Sequence, residues 1–158
     1  MAYGEHKYRV SVQWTGNQGS GTSGYRLYSR DHIIRSGTKP DISGSSDAAF
    51  YGDSTRWNPE DLLLASASAC HKLWYLHLCG DAGICVLDYV DDAEGTMIDN
   101  PEQGRFTEMV LHPRVIIRAG DDRELAASLH QEAHKKCYVA NSVNFPIRCE
   151  PTIESAST

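Results

Sequence analysis

Two cysteines stand where a thiol can do chemistry. Cys70 lies in the middle of "NPEDLLLASASACHKLWYLHLC", residues 58–79, a nearly all-apolar stretch, and Cys137 closes "DDRELAASLHQEAHKKC", residues 121–137, on the apolar side of its pattern. A lone buried thiol is most often a small hydrophobe. Two inward-facing thiols on packed helices are instead candidates for a reversible pair, one attacking an oxidant and the other condensing with the resulting sulfenic acid to a disulfide. Only a thiolate is nucleophilic, and an apolar setting raises a thiol's pKa unless a fixed cation offsets the lost hydration. Arginine suits that task because it stays charged and its fork donates to sulfur and to a carboxylate together. Arg26, Arg30, Arg35 and Arg56 all precede the first helix. Glu60 lies on that helix's first turn, where an acid also simply favours the dipole.

Other titratable groups are less suggestive. "HQEAH", residues 130–134, sets His130 and His134 one helical turn apart, a metal-ligand spacing. Its glutamate falls third rather than second as in H-E-x-x-H, so the base would project differently, which argues against a metal hydrolase. His71 and His77 read as core or interface histidines, and Cys79, Cys85 and Cys149, without C-x-x-C spacing, as packing thiols. No metal-ligand set and no cofactor motif is read. Five cysteines are an odd number and cannot all pair within one chain, so free or redox thiols are expected rather than a disulfide framework.

The elements that must hold the pair follow from periodicity. Asn58 can cap the first helix, Pro59 suits its first position, and Glu60 and Asp61 complement its dipole. Apolar residues from Leu62 to Leu78 cover almost its whole circumference, which describes a helix enclosed by other elements, ending near Gly80 or Gly83. The second helix is capped by Asp121 or Asp122 and carries Leu125, Leu129, Ala133 and Cys137 along one side. Before the helices, "HKYRVSVQW" alternates with period 2, and "YRLYSRDHIIRSG" resumes as a second strand, bent near Asp31, after a glycine-rich turn. Residues 38–57 have too many Gly, Ser, Asp and Pro for regular structure. Further strands are expected in "ICVLDYVDDAEG", "GRFTEMVLHPRVIIRAG" and "SVNFPIRCEPTIE", with a frayed tail at 155–158. The sum is a single α+β domain over residues 1–158, with antiparallel sheets wrapped over helices.

Composition removes several classes. A net charge of -6 and a pI near 5.6, with scattered basic residues, disfavour nucleic acid and anionic membrane as partners. "MAYGEHKYRV" lacks the regions of a signal peptide and polar residues interrupt every long apolar run, so a cytoplasmic protein is expected.

"RWNPEDLLLASASACHKLWYLHLC" together with "AHKKCYVANSV" resembles the OsmC/Ohr family of osmotically inducible and organic hydroperoxide resistance proteins, closer to its OsmC-like members. The resemblance implies a fold of sheets around a long buried central helix, an intertwined homodimer, and a thiol-dependent peroxidase for organic hydroperoxides and, in some members, hydrogen peroxide, recycled by an external dithiol such as a lipoylated protein. On it, Cys70 matches the peroxidatic and Cys137 the resolving cysteine, and Glu60 the acidic partner of an activating arginine. Arg30, in "SRDH", resembles the family's Arg-Asp step, with Arg56 as the runner-up. Ten residues of straight helix separate Glu60 from Cys70 by roughly 15 Å, so either the helix breaks or the glutamate comes from a second chain. The competing class is a redox sensor that records oxidation without turnover, or a module binding an apolar ligand.

Overall fold

In the computed structural model, which describes residues 4–157, the chain divides into one unit ending at Leu62 and another beginning at Leu63. The first unit carries strands β1 (Ser11–Trp14), β2 (His32–Arg35) and β3 (Ile42–Gly44), antiparallel and side by side in that order. The alternating run at residues 6–14 thus yields only four residues of ladder, and Tyr8 and Val10 ahead of it are exposed. β2 begins after Asp31, at the position where a bend is expected. Gly44 is required on β3, because a Cβ there would meet the His32 imidazole at 2.2 Å. The segment 38–57 is more ordered than its composition implies: besides β3 it holds a 3-10 turn, Ala48–Phe50, capped by Asp47. Buried Ser45 fixes it by donating to Asp31 and accepting from the Asp53 amide.

Helix α1 (Pro59–Asp81) starts as its sequence dictates, with the Asn58 side chain accepting from the Asp61 amide at 2.7 Å. It runs unbroken to a turn in which Gly83 takes a left-handed φ of 77°. Strands β4 (Val86–Asp91), β5 (Glu94–Ile98), β6 (Arg105–Leu111) and β7 (Pro113–Ile117) follow, then helix α2 (Arg123–Lys136) and strands β8 (Ile147–Cys149) and β9 (Thr152–Ser155). They form two sheets, β4-β7-β9 and β5-β6-β8. The chain passes between the sheets at Asp92–Ala93, at His112 and at Glu150–Pro151, and Asp91 secures the first two crossings by accepting from the His112 amide and from the Ser68 hydroxyl of α1. No helix among the described residues is long and apolar enough to cross a membrane.

The α+β expectation holds, with three differences in detail. β6 with β8 and β7 with β9 are parallel, because α2 and the turn after it carry the chain back along the sheets. α1 is not enclosed all round within one chain: it buries Ala67, His71, Tyr75 and Cys79, one residue per turn, while Ala65, Ala69, Leu73 and Leu76 are exposed. On α2 the buried row is Ala126, His130, Ala133 and on to Cys137, one position round from the leucines. Small alanines there let the helix approach the core closely, and Leu125 is left outward. Asp122 is the cap, accepting from the Glu124 and Leu125 amides, while Asp121 accepts from the Cys85 amide and pairs with Arg118. Fraying at 155–158 is expected from a tail whose Ser155 still closes β9; Thr158 lies outside the described residues.

Candidate active site

In the second unit, α1 and α2 bring Cys70 and Cys137 together. Cys70 is half-buried at mid-helix, Cys137 is buried at the C-cap of α2, both thiols are free, and the Cys70 sulfur is a near enough neighbour to act on the Cys137 thiol. The Cys137 sulfur also accepts from the Ala140 amide at 3.4 Å, part of a 3-10 turn, Ala140–Ser142, that folds the "YVANSV" segment back on it. Asn141 stitches that turn to the helix end by donating to the Lys135 carbonyl at 3.0 Å. Burial pushes the Cys137 thiol up to about 11; the Ala140 amide opposes that and the Cys70 sulfur adds to it. Trp74, one helical turn beyond Cys70, meets Tyr138 edge-on at 5.7 Å, and the Lys136 ammonium lies 5.5 Å from the same indole. Aromatic surface therefore borders the sulfur pair.

The remaining candidates belong to the first unit. Arg30 donates to the carbonyls of Tyr28 and Tyr25, both at 2.7 Å, and lies over the rings of Tyr25, Tyr28 and Tyr51. It has no carboxylate partner among the described residues, so its charge is fixed and not neutralised. Arg56 faces Asp31 at 3.5 Å and Asp53 at 3.6 Å. Glu60 forms no ion pair with either arginine among the described residues.

A second cluster in the C-terminal unit was not legible as a unit in the sequence. His71 Nε2 lies 2.9 Å from His130 Nδ1, and the Cys149 sulfur lies 3.6 Å and 3.7 Å from these two nitrogens. The imidazoles are parallel, and Tyr75 stacks on His130 at 3.7 Å. Burial lowers His71 to about 4 and His130 to about 3, so both rings are neutral at neutral pH, and it raises the Cys149 thiol. The i, i+4 pair of the "HQEAH" run does not converge on one point: His130 turns inward, while half-buried His134 lines an adjoining cleft. Only the helical spacing of His130 hinted at this cluster, because its partners come from α1 and β8.

The pattern of the family described as OsmC-like protein matches residues 52–152, which include both helices, Cys70 and Cys137. The chain belongs to the OsmC family. Its fold is shared by an OsmC-like protein of unknown function from Vibrio cholerae, with a TM-score of 0.84 and 24% identity over 94% of this chain and 100% of that one. An organic hydroperoxide resistance protein OsmC from Legionella pneumophila superposes with a TM-score of 0.68 at 17% identity, covering 96% of this chain and 99% of its own. One from Elizabethkingia anophelis gives 0.67 at 19% identity, over 96% and 99%. No curated protein matches the chain in sequence. Within the OsmC fold, Cys70 lies on the long α1 and Cys137 at the C-cap of α2.

Proposed function

We propose that the protein is a thiol-dependent peroxidase acting on organic hydroperoxides in the cytoplasm. The observation that supports this reading is the sulfur pair itself: two free thiols on neighbouring helices, near enough for one to act on the other, one half-buried and one buried. The Cys70 thiolate attacks the distal peroxide oxygen, the O–O bond breaks, and the leaving oxygen takes a proton to depart as an alcohol. The resulting sulfenic acid condenses with the Cys137 thiol, releasing water and forming a disulfide. An external dithiol, a lipoylated protein among the candidates, restores both thiols by exchange.

Arg30 supplies the cation that favours the sulfur anion and the charge developing on the leaving oxygen, and Glu60 the carboxylate that orients it. Arg30 is preferred to Arg56 because Arg56 already faces two aspartates. α1 has no break, so of the two routes foreseen from spacing, a glutamate contributed by a second chain is the one adopted. The exposed apolar row of α1, with Leu73 at 63% accessibility, supports a homodimer. The hydroperoxide resistance named for two relatives of the same fold agrees with the substrate class.

A ferrous-xylenol orange assay tests the reading. Wild type should consume peroxide over many cycles with a dithiol present, Cys70→Ser none, and Cys137→Ser a single equivalent without dithiol-driven cycling. Undiminished turnover by Cys70→Ser overturns the assignment. A fully active monomer by light scattering overturns the dimeric site.

A further inference from the structure

We infer that His71, His130 and Cys149 form a binding site for a thiophilic divalent transition-metal ion, zinc(II) foremost, with three protein ligands and one exchangeable position. Three lone-pair donors from α1, α2 and β8 converge within 4.8 Å of one another. Zinc bonds of about 2.0–2.1 Å to nitrogen and 2.3 Å to sulfur at tetrahedral angles separate two nitrogens by about 3.3 Å and a nitrogen from a sulfur by about 3.6 Å. The observed N···S edges are 3.6 and 3.7 Å and the N···N edge is 2.9 Å, so the imidazoles need move apart by a few tenths of an ångström and turn from facing each other to face the common centre.

A hydrogen-bonded histidine pair alone is a poorer account of these groups. One N–H serves the His71–His130 contact and the Cys149 sulfur adds only long contacts to it, while the outer nitrogens, His71 Nδ1 and His130 Nε2, are buried without partners in either account. A pair of neutral rings held this way gains little, whereas an ion at the convergence point would use both facing lone pairs and the sulfur at once. Two carboxylates face the cluster, Asp91 acting on both His71 and Cys149 and Glu150 on Cys149, opposed at His71 by His134. The donor set contains no oxygen, which excludes magnesium and calcium and fits zinc and its neighbours. His130 and Cys149 line a cleft of about 400 Å³ that also exposes Gln131, His134 and Lys135, giving the ion an entry path and its fourth position a water or small ligand.

The inference does not rest on the peroxidase reading, and its test removes the other thiol pair. Untagged C70S/C137S protein, stripped with a chelator, is titrated with Co(II) and Zn(II) beside the wild type. One equivalent of Co(II) should bind, with a thiolate-to-cobalt charge-transfer band and the strong visible bands of a four-coordinate ion. Zn(II) should displace it and raise the melting temperature. In the same background C149A should abolish the charge-transfer band, and C149A and H130Q should each weaken binding by more than the roughly 100-fold that loss of an outer-shell partner costs. C149S replaces C149A should the alanine variant fail to fold by circular dichroism. No stoichiometric binding by calorimetry, or a thiolate band surviving in a folded Cys149 variant, overturns the site.

Discussion

Cys70 and His71 leave one turn of α1 about 100° apart, and each meets a partner from α2: Cys137 for the cysteine, His130 for the histidine. The same two helices thus build two adjacent clusters of different chemistry. Sulfur beside sulfur can exchange electrons and close a bond. Sulfur beside two imidazoles gathers three donor atoms within 4.8 Å of one another. Burial governs both but acts in opposite senses, holding the Cys137 thiol protonated and both histidine rings unprotonated. A one-residue step along a helix is enough to separate the two chemistries, because it selects which neighbouring element a side chain meets.

Four measurements sharpen or break this comparison. The largest effect should come from Cys70→Ser, whose peroxide consumption should fall to the reagent background while Cys85→Ser, outside both clusters, keeps wild-type turnover; equal losses in the two would remove the distinction. Next, Cys137 in the Cys70→Ser background should be alkylated by iodoacetamide about tenfold faster per pH unit from neutrality and go on accelerating past pH 9, because burial still holds the thiol up once the Cys70 contribution is gone. A plateau near 9, the ordinary thiol value, would show that the sulfur is not desolvated.

Acid should act on the other cluster. In metal-free protein both histidines have folded pKa values below 6.5, so as pH falls through 6.5 the unfolded chain takes up protons that the native state refuses. Stability is therefore full above 6.5 and declines toward pH 4, by on the order of 3 kcal/mol for His71 alone. Urea unfolding at stepped pH reads this, and a flat profile across that range would show that the imidazoles are solvated. The smallest effect belongs to Tyr75→Phe. The Tyr75 hydroxyl is buried beside Cys79 without a well-formed hydrogen bond, so removing it should change stability by less than about 1 kcal/mol; a larger loss by thermal melting would reveal a partner that burial conceals.

The sequence made α1 legible, from its Asn58 cap to its glycine turn, because capping and helix termination are local chemistry. That Cys70 and Cys137 lie near one another was legible too, since a nearly all-apolar helix and an amphipathic one had to pack together. The exact face of α2 was not, because leucine count favours the row of Leu125 and Leu129 while close packing favours the row of alanines. Parallel pairing of β8 and β9 escaped for the same reason, as strand direction is set by where α2 returns the chain. Cys149 read as a packing thiol because its two nitrogen neighbours lie 78 and 19 residues away, beyond any local spacing rule.

The edge-on contact of Trp74 with Tyr138 spans from the turn after Cys70 to the residue after Cys137. The chain's other two indoles, Trp14 and Trp57, lie in the first unit. Disulfides and thiols differ in how strongly they quench a nearby excited indole, so Trp74 gives the molecule a built-in optical reporter: its emission should step as the two sulfurs join and return as they part, and a stopped-flow trace could time each half of the cycle without a label.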